Sequence, residues 1–330
     1  MASNIFPMLW VGSTWTSTFL KIQKKQTLRM IGNLQTAFKS MLTTNDWLQD
    51  EDKGAAAEKA NAMSVEIGYP DWIKNDAKLD AFHAGITFKT KELFNNVLTF
   101  LRWKTQKQLA RFRENAIAMT LWDAIKPTAV NAQYNRLLNG IVFPAAILQP
   151  PVYNAELPWY LNYGGIGMII GHEITHGFDS EGRKYDKNGN LNVWWSQTSV
   201  DNFEDRAQCI IDQYSSFAMP ENGRKLNGTQ TERENIADNG GLREAYQAYK
   251  DSESKQPLLP GLNMTDKQLF FLSFSQNLCV LQTPAGVDNQ IETDTHSPGR
   301  YRVIGSLQNN EEFSRAFNCP AGSYMNQAKK

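Results

Sequence analysis

The sequence predicts a mainly α-helical chain with a small β component, divided near residue 125 into two lobes. Three observations predict it. Apolar residues recur at helical spacing over much of the chain, with Met30, Leu34, Phe38 and Leu42 as the clearest stripe. Between Thr128 and Pro151 the texture changes to short extended runs, closed by Pro150-Pro151. Finally, the apolar run Ile166 to Ile174 leads through His172-Glu173-Ile174-Thr175-His176, two histidines four residues apart in a helix-compatible setting.

Taken in order, the pattern from Gln26 to Ser64 is helical, passing Trp47 into an acidic, Ala-rich segment, Asp50 to Ala62, that suits an exposed helix. Gly68-Tyr69-Pro70 is a stop signal. Leu93 to Asn115 reads as a second long helix with a solvated basic face, and the isolated His83 as a surface or core residue rather than a ligand. Past the boundary, Val130 to Tyr134 and Gly140 to Pro144 suit an extended element and a turn. Leu161 to Gly165 leads into the histidine helix, and Asp186 to Asn190 is a turn. Trp194-Trp195 then opens a further helix as core residues. Helices are expected at Glu232 to Tyr249, Asp266 to Leu281 and Glu311 to Phe317.

Composition narrows the function classes. The chain has 330 residues, enough for a large core, and equal numbers of acidic and basic residues. Bulk charge therefore gives no reason to expect nucleic acid or an anionic membrane as partner. No apolar run approaches the roughly 20 residues of a spanning helix, and Met1 to Leu20 lacks the basic start of a signal peptide. Cys209, Cys279 and Cys319 show no C-x-x-C spacing. They are either buried thiols of a reducing compartment or halves of pairs made with cysteines outside this chain. Asn227-Gly228-Thr229 and Asn263-Met264-Thr265 fit the glycosylation acceptor pattern.

The histidine run carries the chemistry. On a helix His172 and His176 share a face and can hold one Zn²⁺, with Glu173 beside them to take a proton from a water the metal activates. The competing reading is a chance pattern on a buried helix. A hydrolytic zinc site takes three protein ligands and leaves a position open. A third histidine six residues after His176 would mark a metzincin, but Gly182 stands there. Glu234 is the best candidate instead, with Asp238 one turn on as a carboxylate that can hydrogen-bond a ligating imidazole. A solvated acidic turn at a helix start is the alternative.

These residues resemble the neprilysin and endothelin-converting-enzyme family of zinc endopeptidases. The matching stretches are Val130-Asn131-Ala132, Ile141 to Ala145, Leu161 to Gly167, His172 to Asp179, Glu234 to Gly241, and His296-Ser297-Pro298 with Arg302; weaker similarity reaches back to Val11. The resemblance covers nearly the whole chain but only the C-terminal part of such a protein. It implies a thermolysin-like zincin (gluzincin) catalytic lobe at 126–330, preceded at 1–125 by a segment of a helical lid lobe. It further implies one Zn²⁺ held by His172, His176 and Glu234, with Glu173 as general base and Asp238 as the supporting carboxylate. His296 matches the residue that stabilises the oxyanion, Asn131 and Ala132 those that hold substrate backbone, and Arg302 one that bonds a substrate carbonyl. Peptide substrates and an extracellular or membrane-associated ectodomain follow from the same resemblance.

The chain also departs from that family. These 330 residues do not include the long preceding region expected from that resemblance, which makes an N-terminal lobe an expected structural partner, and they end at Lys329-Lys330, before a Cys-x-x-Trp tail. By resemblance, Cys279 and Cys319 pair with cysteines of the missing part and Cys209 with the tail, so all three are expected unpaired. Gln133 stands where an aromatic residue is usual, and Asn277-Leu278 where an apolar-aromatic pair helps form the S1′ pocket. Val152, Met168 and Ile169 leave that pocket apolar walls, so cleavage before hydrophobic residues is expected. Two functions are thus in view: an active endopeptidase, or a truncated homologue serving as a zinc-binding or interaction module. An aminopeptidase lacks any recognisable acidic motif for a free amine here.

Overall fold

The computed structural model describes residues 18–111, 120–252 and 256–327. Its elements are α1 (Thr18–Thr43), α2 (Asp50–Ala62), β1 (Ser64–Gly68), α3 (Asp76–Phe82), α4 (Leu93–Arg111), α5 (Leu121–Ala124), β2 (Gln133–Asn135) and β3 (Gly140–Pro144). They continue with α6 (Trp159–Asn162), α7 (Met168–His176), α8 (Gln197–Ser216), α9 (Gly228–Asp251), α10 (Asp266–Asn277), α11 (Pro284–Thr293), α12 (Gly299–Gln308) and α13 (Glu311–Ala316). The fold is therefore mainly helical with one small sheet.

The α1 stripe works as its spacing requires: Met30, Leu34, Phe38 and Leu42 are all buried, in one core with Ile166, Ile170 and Ile174 around α7 and with Leu242 and Tyr246 of α9. The helical pattern expected to run on to Ser64 breaks after Thr43. There the Asn45 side-chain oxygen accepts from the backbone N–H groups of Trp47 and Leu48, a local turn that competes with the helix. The expectation that α2 is exposed is corrected. Asp52, Ala56, Lys59 and Ala60 are buried, because Asp52 accepts from the Ser196 N–H and hydroxyl while the Lys59 ammonium donates to the carbonyls of Gly177, Gly182 and Tyr185.

Strand β1 has no counterpart in the sequence reading. It pairs parallel to β3, Ser64 opposite Gly140 through Gly68 opposite Pro144, while β2 pairs antiparallel to the other side of β3. The order β1-β3-β2 makes β3 the central strand, and separate core clusters cover its two faces, Ile141 and Phe143 on one and Val142 on the other, which accounts for its unbroken apolar run. It also leaves β2 at an edge. Residues from both sides of position 125 thus share the sheet and the core. Helix α4 begins at Leu93 as expected; residues 112–119, where its expected end falls, lie outside the described residues. After the Trp pair, Ser196 caps α8 by accepting from the Ser199 N–H. Helix α10 stops at Asn277, short of Leu281, and the stretch read as a tail holds two further helices: α11, started by Pro284 after the Thr283 cap, and α12.

Candidate metal centre

Backbone-close packing of α7 on α9 builds the site. A Cβ on Gly171 would come within 2.7 Å of the Gly241 carbonyl oxygen, and one on Gly241 within 2.4 Å of the His172 nitrogen. Only hydrogen at both positions lets the two backbones meet, and that approach carries Glu234 and Asp238 of α9 to the histidines of α7. A wider π turn, Tyr163–Gly167, leads into α7. Its Gly164 and Gly165 sit against the carbonyls of Phe270 and Val152, locking the entry of the helix to α10 and to the loop after β3.

The sequence-predicted ligands come together. His172 Nε2 and His176 Nε2 are 3.0 Å apart, and Glu234 Oε2 lies 3.2 Å from the first and 3.3 Å from the second. Four ligands around zinc at ~2.0–2.1 Å are separated by about 3.3 Å along the edges of their tetrahedron, so the spacing fits. Hydrogen bonds behind the rings set which nitrogen faces inward. His172 Nδ1 lies 2.8 Å from Asp238 Oδ1, and His176 Nδ1 lies 2.7 Å from Asp179 Oδ2. Each neutral ring donates there and turns a lone pair on Nε2 toward the common point. Glu234 Oε2 is buried and faces the Nε2 atoms of His172, His176 and His296, with no backbone or hydroxyl donor on it among the described residues. Three electron-pair donors held together in a buried place fit a cation, and His172, His176 and Glu234 are the group of residues that could hold one among the described residues.

Where no metal is held, the same carboxylates favour a proton in its place. Burial opposes charge on His176, yet Asp179 and Glu234 outweigh it and raise the ring to about 10; His172 is raised likewise, against burial, by Asp238 and Glu234. Burial resists ionisation of Glu234, but the three surrounding imidazoles hold its carboxyl far below the ordinary range. Asp238, fully buried, is brought to about 2 because the Arg302 guanidinium overcomes the cost of burial. Arg302 Nε and NH2 donate to both oxygens of Asp238, at 2.7 and 2.6 Å.

The other predicted residues surround this centre. Glu173 is buried and lines the same cleft beside the two rings. His296 places Nε2 3.1 Å from Glu234 Oε2, with Nδ1 held on Asp294 at 2.8 Å; Glu234 is the main cause of its raised pKa. Asn131 is exposed, with its side-chain oxygen on the Ala132 N–H, and both residues enter the cleft just ahead of the edge strand β2. The cleft encloses about 830 Å³. Val152, Met168, Ile169, Phe274 and Leu278 line it near the start of α7, whereas Arg136, Leu137, Gly182 and Arg233 line it near the helix end. His83 is elsewhere, capping α3 and stacked on Trp103. Cys209, Cys279 and Cys319 are free thiols.

Asp179 was missed by sequence reasoning as a functional residue. Besides His176 it accepts from Arg233 and from the backbone N–H groups of Glu181 and Gly182, and it has no solvent exposure. Its place three residues after His176, on the turn that ends the helix, was the available signal.

The family model described as peptidase family M13 matches residues 131–330, and the companion N-terminal model of that family matches residues 4–70. Human neprilysin is 46% identical over 306 residues, covering 91% of this chain and 40% of its own. The endothelin-converting enzyme homolog of Locusta migratoria is 45% identical over 304 residues, 91% of this chain and 41% of its own. The chain therefore spans about two-fifths of the length of these relatives. Among solved structures, the Mycobacterium tuberculosis zinc metalloprotease Zmp1 in complex with an inhibitor superposes with a TM-score of 0.86 at 29% identity, over 99% of this chain and 49% of that one. PepO from Lactobacillus rhamnosis superposes at 0.81, also 29% identical, over 97% and 48%.

Proposed function

The chain belongs to peptidase family M13, with a zincin fold, and from that premise we propose that it is a zinc-dependent endopeptidase of oligopeptides that cleaves before hydrophobic residues. The observation that carries this reading is the convergence of His172, His176 and Glu234 on one point, with Glu173 beside it in an open cleft. Zinc held by these three residues would supply Lewis acidity for the attack of water on a peptide carbonyl. Glu173 takes the proton of the attacking water and delivers it to the leaving amine. His296, steadied by Asp294, donates to the developing oxyanion. Asp238 and Asp179 keep the ligand rings in the inward-facing tautomer. Asn131 and Ala132 hold substrate backbone along the free edge of β2, and Arg302 reaches a substrate carbonyl from its anchor on Asp238. Val152, Met168 and Ile169 receive the side chain that follows the scissile bond.

The division near residue 125 is proposed as one of labour rather than packing. Every site residue falls after it, while α1, α2 and β1 support the same core. An extracellular or membrane-associated setting is proposed from family membership; no helix among the described residues is long and apolar enough to cross a membrane. A second reading, a zinc-binding or interaction module without turnover, is favoured by apolar side chains exposed along α4, Leu93 and Phe94 foremost. One assay separates the two: cleavage of a fluorogenic peptide with a hydrophobic residue after the scissile bond, wild type beside Glu173→Gln, each loaded with zinc. Turnover lost in the variant with zinc retained supports the endopeptidase. Zinc bound and no turnover in either supports the module.

A further inference from the structure

The end of the cleft beyond His176 carries charge that the chemistry above does not use. Arg136 leaves β2 at the start of the turn to β3, exposed, with its guanidinium 5.3 Å over the Tyr185 ring. It makes no ion pair among the described residues. Arg233 is half-exposed, lines the cleft and spends Nε and NH2 on a single oxygen of Asp179, which leaves NH1 without an acidic partner among the described residues. Both act on Glu181 electrostatically, which places them in one neighbourhood. The nearby acids are already committed. Glu181 pairs with Lys184 at 2.6 Å, Glu232 accepts from Ser180, and Asp179 is divided between His176 and Arg233. The carboxylates that line the cleft, Glu173 and Glu234, belong to the centre.

Direction along the cleft follows from α7. Its first residues, Met168 and Ile169, form the apolar pocket for the side chain after the scissile bond, so the end near Gly182, Arg136 and Arg233 holds the residues before it. Resting on the peptidase reading above, we propose that Arg136 and Arg233 select peptides carrying an aspartate or glutamate N-terminal to the scissile bond. Arg136 stands four residues past Ala132, about 13 Å along an extended chain, which puts the favoured acid roughly three residues upstream of the cleaved bond. A partly exposed carboxylate between two guanidiniums gains a preference of about 5- to 10-fold over a neutral residue, and repulsion sets lysine lower still.

The test uses peptides identical except for Glu, Gln or Lys at that upstream position. Their binding is measured by fluorescence anisotropy on zinc-loaded Glu173→Gln chain, in which the peptide stays intact, and their turnover on wild type. The expected order of affinity is Glu, then Gln, then Lys; it narrows at high salt and reverses when Arg136→Glu is added. Equal affinities, or no binding of any of the peptides, overturn the proposal. Absence of turnover in wild type with the order of binding intact counts against the peptidase reading alone.

Discussion

Asp179→Asn isolates the part of the site that lay outside the sequence reading. The substitution conserves volume but leaves one oxygen where there were two. In the native chain Asp179 Oδ1 accepts from the N–H groups of Glu181 and Gly182 at 2.8 and 2.6 Å, while Oδ2 accepts from His176 Nδ1 at 2.7 Å and from Arg233 at 3.2 Å. The amide oxygen stays with the two backbone donors, so its NH2 meets His176 Nδ1. The ring answers by moving its proton to Nε2, the atom that faces Glu234. A ligand in the wrong tautomer must be turned back before it can hold a metal. The loss expected for a partner behind a ligating histidine is 10- to 100-fold in affinity, or about 1.4–2.7 kcal/mol. Competition with a chromophoric chelator at fixed pH measures it. Asp179→Ala is the poorer probe, because it also strands the buried Gly182 N–H, at about 1–3 kcal/mol, and the partly buried Glu181 N–H. Zinc affinity unchanged in a folded Asp179→Asn chain refutes the argument that this carboxylate sets the tautomer.

Further outcomes follow from the packing around the site. Gly241→Ala puts a methyl into the backbone of α7, 2.4 Å from the His172 nitrogen, and is expected to cost about 1–3 kcal/mol in denaturant unfolding together with weaker zinc binding. Lys59→Met removes the donor of the Gly177 and Tyr185 carbonyls and one of two donors to the Gly182 carbonyl, which keeps the Tyr185 N–H; the loss is about 2–3 kcal/mol at roughly 1 kcal/mol per bond, and unchanged stability contradicts the bonding described. Glu244 is buried with one bond, from Thr175, and burial raises its pKa well above the usual carboxylate value. The folded chain thus holds this proton more tightly than the unfolded one. Its contribution to stability is fullest below the unfolded pKa and declines as pH rises toward the folded one. Glu244→Gln removes that decline, so it melts higher than wild type at pH 7 and converges with it near pH 4. A constant difference across that range contradicts the linkage.

The metal helix was legible because its information is local: the four-residue interval between His172 and His176 fixes a shared face wherever the helix sits, and the same holds for Glu234 and Asp238. What the sequence conceals depends on distant partners. Lys59 reads as one more solvated charge in an Ala-rich helix, and only the loop after α7, which supplies three carbonyls, explains its burial. Strand β1 is five residues with no clear alternation, and its identity comes from pairing with β3 on the far side of the supposed boundary. Thr283-Pro284 is a helix start in plain view, yet α11 and α12 were passed over as a tail because neither carries a long apolar stripe.

The central claim, that two imidazoles and a carboxylate of this chain hold one zinc with a position left for water, is tested most directly by zinc K-edge X-ray absorption on the zinc-loaded protein with its metal content determined. The account predicts one zinc per chain, two imidazoles and oxygen donors at about 2.0–2.2 Å, no sulfur, and loss of the tightly bound metal in Glu234→Gln. Sulfur scattering near 2.3 Å, or zinc retained with unchanged coordination in Glu234→Gln, contradicts it.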